Sequence, residues 1–77
     1  MFITITIKVG DVSSDIRIDS EQRICTGAQV LRESTKIPHG KYSAYFRSEQ
    51  NEKLVSSYKT FRDEGIYDGD VLTAIDF

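Results

Sequence analysis

Phe2-Ile3-Thr4-Ile5-Thr6-Ile7-Lys8-Val9 alternates without a break. Ile3, Ile5, Ile7 and Val9 fall on one face, and Phe2, Thr4, Thr6 and Lys8 on the other. A period of two over eight residues predicts a strand with one buried side. Gly10-Asp11 supplies turn chemistry, and a second alternating segment follows from Ser14 to Asp19, with Ile16 and Ile18 inward. Two strands joined by a short Gly/Asp/Ser loop read as a hairpin. Nine Ile and five Val against three Leu carry the same bias, because β-branched side chains suit a pleated surface.

Outward from the hairpin, Ser20 to Lys36 is the one segment with helical spacing, through Ile24, Gly27 or Ala28, Val30 or Leu31, and Thr35. Two starts fit. Thr26-Gly27-Ala28-Gln29 matches a capping box with Thr26 as N-cap, and a start nearer Ile24 fits as well. Ile37-Pro38-His39-Gly40 ends the helix, since a residue before proline avoids helical geometry. Lys41 to Arg47 is a third strand, with Tyr42, Ala44 and Phe46 on one face and Ser43, Tyr45 and Arg47 on the other. Ser48 to Glu52 reads as a polar turn, and Lys53-Leu54-Val55 as a very short strand. Thr60-Phe61-Arg62-Asp63 opens about one helical turn closed by Gly65, and Ile66 plugs inward. Asp68-Gly69-Asp70 turns the chain into a final strand, Val71 to Phe77, with Leu72 and Ala74 facing the core. One helix packed across one mixed sheet makes a two-layer α+β domain.

At 77 residues there is room for one core, so a single domain over 1–77 is expected. Ten Lys+Arg against twelve Asp+Glu leave a net charge of −2. A general nucleic-acid binder would show a basic excess, so that class is disfavoured. No apolar run exceeds three residues, so neither a membrane span nor an export signal core is expected. The lone Cys25 has no partner for an internal disulfide. A reducing, cytoplasmic location is therefore the expectation.

Three stretches carry a resemblance. They are the hairpin that opens at Met1, Ile24 followed thirteen residues later by Ile37-Pro38, and the run from Thr60 through Gly65-Ile66 and Gly69-Asp70 to Val71-Leu72. Together they resemble a β-grasp domain of the ubiquitin-like kind, with a mixed four- to five-stranded sheet on one main helix and a short extra helical turn. Within that group, Met1-Phe2-Ile3-Thr4-Ile5-Thr6-Ile7 and Phe61-Arg62-Asp63-Glu64-Gly65-Ile66-Tyr67-Asp68-Gly69-Asp70-Val71-Leu72 are similar to the YukD/EsaB family, small accessory proteins of type VII secretion systems. The segment from about Ser48 to Lys59 resembles nothing specific. The resemblance implies a non-enzymatic component acting on the cytosolic side of a secretion machine. Its partner would be a protein, such as a cytosolic domain of a membrane component, with no nucleic acid, no membrane insertion, and a monomer or weak dimer.

The residues themselves offer little chemistry. A conjugated modifier or sulfur carrier needs a flexible Gly-Gly end, because a side chain would clash in the activating enzyme's channel. Here the five glycines are never adjacent and the sequence closes on Ile75-Asp76-Phe77. Conjugation is therefore not expected, although a modifier or carrier role stays the alternative, beside a ubiquitin-like domain of a larger eukaryotic protein. Cys25 reads as a small half-buried hydrophobe, not a nucleophile. One cysteine cannot hold an iron–sulfur cluster, and Asp68-Gly69-Asp70 lacks the spaced ligands of a calcium loop. No catalytic residue, metal or cofactor is expected. What remains is the outer sheet face. Phe2, Thr4, Tyr45, Arg47, Ile75 and Phe77 are the candidate protein-binding residues, with Lys8 and Arg17 near the rim. Aromatics edged by arginine suit an interface.

Overall fold

A computed structural model describes residues 1–33 and 44–75. The elements are β1 (Phe2–Val9), β2 (Val12–Asp19), α1 (Ile24–Glu33), β3 (Tyr45–Ser48), β4 (Lys53–Ser56) and β5 (Val71–Ile75). The five strands form one sheet in the order β2-β1-β5-β3-β4. β1 and β5 run parallel, and the other neighbours are antiparallel. The exit Ile37-Pro38-His39-Gly40, the helix beyond Glu33, and Tyr42, Ser43 and Phe77 lie outside the described residues.

The opening hairpin is tighter than the sequence suggests. Val9 pairs with Val12, so β2 starts two residues before Ser14. Gly10 makes this possible, because its φ of 59° is a left-handed value open to glycine without steric cost. Ile3, Ile5, Ile7, Val9 and Ile18 are buried, and Ile16 packs against the core from the edge.

The helix starts at Ile24, and Thr26 lies inside it. Backbone does the capping. The Ile24 N–H donates to the Lys59 carbonyl at 2.9 Å, and the Cys25 N–H to the Ser57 carbonyl at 2.8 Å. Arg23 and Thr60 add a β-bridge. With its first N–H groups satisfied by a passing segment, the helix needs no side-chain cap. Ile24, Ala28 and Leu31 face the sheet. Gly27 is buried because Phe61 sits over it. A Cβ at Gly27 would lie 3.1 Å from the Phe61 ring and 3.4 Å from Ile18 Cδ1.

The segment after β4 holds one turn's worth of helix-like bonds. Glu64 N–H reaches the Thr60 carbonyl, Gly65 N–H the Arg62 carbonyl, and Ile66 N–H the Phe61 carbonyl. The Thr60 hydroxyl accepts from the Asp63 N–H at 2.9 Å, as a cap would. The turn presses Phe61 and Ile66 into the core, at 0% and 1% exposed.

Two assignments near β3 change. Ala44 precedes the strand and is exposed, where the alternation put it on the Phe46 face. Its carbonyl takes the Ser57 N–H at 2.9 Å, which continues the β3–β4 register one position beyond Tyr45–Ser56. Ser48, read as the start of a polar turn, is the last residue of β3 and points inward, fully buried.

Candidate functional site

The sheet face away from α1 is laid out by the strand registers. It carries the even residues of β1 and β4 and the odd residues of β2, β3 and β5. In one row, Thr73 sits between Lys8 and Arg47, and Leu54 follows on the edge strand. In the next, Ile75 pairs with Tyr45, which pairs with Ser56. Tyr45 and Leu54 are 53% and 56% exposed, Arg47 is exposed, and Ile75 and Thr73 are half-buried. Directly opposed side chains on such a face lie about 5 Å apart at Cβ. Tyr45, Arg47, Leu54 and Ile75 therefore form one continuous patch. Lys8 at its margin lies 3.9 Å from Glu49.

Phe2 and Thr4 belong elsewhere. Thr6 is level with Val71 and Lys8 with Thr73, so Ile75 is level with position 10. Phe2 is eight residues further back, about 25 Å along the strand. The stagger of the two parallel strands thus splits the single foreseen patch into two ends. At the far end Thr4 stands opposite Arg17, and the Arg17 guanidinium lies 5.4 Å from the centre of the exposed Phe2 ring. Three of the six candidates, Tyr45, Arg47 and Ile75, come together, and Phe2 and Thr4 form a separate group.

No family model matches this sequence, and no curated protein does. Solved structures do match in fold. The C-terminal ubiquitin-like domain of mouse tubulin-specific chaperone e superposes with a TM-score of 0.65 at 12% identity, over 96% of this chain and 84% of that one. Ubiquitin of Caldiarchaeum subterraneum gives 0.61 at 15%, over 100% and 98%. The EccD5 ubiquitin-like domain from Mycobacterium xenopi gives 0.53 at 13%, again over 100% and 98%. The fold is a ubiquitin-like β-grasp.

In this β-grasp the polar residues near the site do structural work. The Asp68 carboxylate accepts the Thr4 N–H at 2.7 Å, and the Gly69 N–H donates to the Thr4 carbonyl at 2.8 Å. Both bonds tie β1 to the turn that leads into β5, ahead of its first residue Val71. Gly69 sits at φ 89°, a positive-φ turn position that suits glycine. Asp70 is fully buried. Its carboxylate accepts from the Ser48 hydroxyl at 2.5 Å, the Val71 N–H at 2.7 Å and the Gln50 N–H at 3.1 Å. The Glu64 carboxylate takes the Ser56 N–H at 2.6 Å.

The sequence reading missed Leu54 as a site residue. Its signal is the neighbour Val55, 1% exposed, which forces Leu54 outward by the strand period. Among the described residues no group of three His, Cys, Asp or Glu is placed to hold a metal. Cys25 is half-buried and free. A shallow depression lined by Met1, Ile3, Ser20, Glu21, Arg62, Ile66 and Tyr67 lies at another margin. Its Arg62 is already bound to Glu21 at 2.9 Å. No described helix is long and apolar enough to cross a membrane.

Proposed function

We propose that this chain is a non-enzymatic protein-interaction module, a cytoplasmic accessory component of a bacterial type VII secretion system that is not conjugated to targets. It docks through the Tyr45–Arg47–Leu54–Ile75 end of the sheet. The partner is a cytosolic protein domain of a membrane component of that machine. The observation that carries the docking reading is the exposed Tyr45 and Leu54 flanking Arg47 on a hydrogen-bonded sheet. Aromatic and arginine anchors held on a rigid element lose little freedom on binding. The secretion assignment draws on the YukD/EsaB-like opening and tail. A mycobacterial ubiquitin-like domain among the fold neighbours is in keeping with it. Non-conjugation draws on the absence of adjacent glycines within these 77 residues.

The test is calorimetric titration of the purified cytosolic domains of the secretion machine with wild type, Tyr45→Asp and Leu54→Asp. Binding by wild type with at least about tenfold loss in both folded variants supports the reading. Equal binding by all three refutes it. Intact-mass analysis after incubation with an activating enzyme and ATP tests the modifier alternative, and a covalent adduct would replace this reading with that one.

A further inference from the structure

The sheet ends in two unlike edges. β4 is four residues long and carries Lys53 at its start, the usual protections against edge pairing. β2 is eight residues long, contains no Lys or Pro, and pairs with β1 without a bulge from Val12 to Asp19. Among the described residues nothing pairs with its other side. We propose that β2 is a homodimerisation edge, which pairs antiparallel with β2 of a second copy to join two five-stranded sheets into one.

Backbone direction limits the registers. The Ser20 N–H donates to the Met1 carbonyl at 2.8 Å. In an antiparallel ladder the hydrogen-bonded pairs alternate, so the even residues of β2 direct their N–H and C=O groups to β1. The odd residues Ser13, Asp15 and Arg17 direct theirs to the open edge, and all three are exposed. A two-fold pairing must then join odd residues to odd residues.

Charge selects among the central registers that remain. With the two-fold axis at Ile16, Asp15 faces Arg17 of the second copy and Arg17 faces its Asp15. Two opposite-charge pairs form on the outer face. The two Ile16 side chains meet on the inner face, where each is only partly buried in one copy. Moving the axis to residue 15 opposes Asp15 to Asp15, and moving it to residue 17 opposes Arg17 to Arg17. Like charges directly opposite destabilise a strand pair. The sequence Asp15-Ile16-Arg17 is thus self-complementary about its own centre, as a two-fold interface requires. Both charged groups are available. The Asp15 carboxylate accepts the Thr6 hydroxyl at 2.6 Å and stays exposed. Arg17 lies over Phe2.

The experiment is sedimentation equilibrium of the full chain, from about 10 µM to about 1 mM, with circular dichroism to confirm that each variant folds. Wild type, Arg17→Asp, Asp15→Arg and the double exchange are compared. Wild type should show a monomer–dimer equilibrium. Each single variant should weaken it by about tenfold or more, because two attractive pairs become two repulsive ones. The double exchange should dimerise more tightly than either single variant, because it restores opposite charges with the signs reversed. A wild type that stays monomeric throughout overturns the proposal. So does a dimer indifferent to the single exchanges, or a double exchange no tighter than they are.

Discussion

The Ser48 hydroxyl donates to the Asp70 carboxylate at 2.5 Å, with both residues entirely shut off from solvent. The Ser48 oxygen in turn accepts the Asn51 N–H at 3.2 Å, and the other Asp70 oxygen takes the N–H groups of Gln50 and Val71. The β3–β4 turn is therefore fastened to the first residue of β5 through one carboxylate. No cation is needed, because three donors satisfy the charge.

Asp70→Ala should destabilise the fold by about 2 kcal/mol or more, since it leaves the buried Ser48 hydroxyl and two part-buried N–H groups without their acceptor. Ser48→Ala should cost about 1–3 kcal/mol. A double-mutant cycle read by urea unfolding should show coupling above about 0.5 kcal/mol. Additive losses would mean that the two groups do not act together.

Phe61→Ala should cost about 3–5 kcal/mol by emptying the space between α1 and the sheet. That is a large part of the stability available to a 77-residue chain, about 4–12 kcal/mol. Gly27→Val should also destabilise, because its side chain enters the same space from the helix. Thermal unfolding monitored by circular dichroism checks both.

Asp19 sets a small acid dependence. The Glu21 N–H at 3.0 Å, then the Met1 ammonium at 3.3 Å, hold its carboxyl below the ordinary range. A carboxyl lowered in the folded state stabilises the fold above its ordinary value. That contribution is lost as the pH falls through the lowered one. The stability gap between wild type and Asp19→Asn should therefore be constant above about pH 5 and close on further acidification. A gap unchanged down to about pH 2 would contradict the assignment.

At the sheet face, Tyr45→Asp and Leu54→Asp should keep the wild-type fold while Phe2→Asp leaves the Tyr45 end intact. If Phe2→Asp weakens partner binding as much as Tyr45→Asp, both ends of the face take part. Chemical-shift mapping on the labelled chain separates the two outcomes.

The alternation of Ile3, Ile5 and Ile7 made β1 legible in advance, because a period of two needs no tertiary information. Leu72 was legible for the same reason, through its alternation with Ala74, and Ile66 as the apolar residue that follows the Gly65 turn. The helix start was not decidable, since its cap is the backbone of residues 57–59, far along the chain. Ser48 and Asp70 looked like turn residues, because sequence shows a polar side chain but not the partner that lets it be buried. The split of the candidate patch depends on the β1–β5 stagger, which no local pattern encodes. Tyr45 and Arg47 could be placed on one face, but their distance from Phe2 could not.

β5 lies between β1 and β3, and it is the last of the five strands to leave the ribosome. The two halves of the sheet can form as separate hairpins during synthesis, but they have no common hydrogen-bond ladder until Val71–Ile75 emerges. Closure of the sheet therefore has to follow the synthesis of the other four strands, and β5 acts as the seam that makes two hairpins one layer.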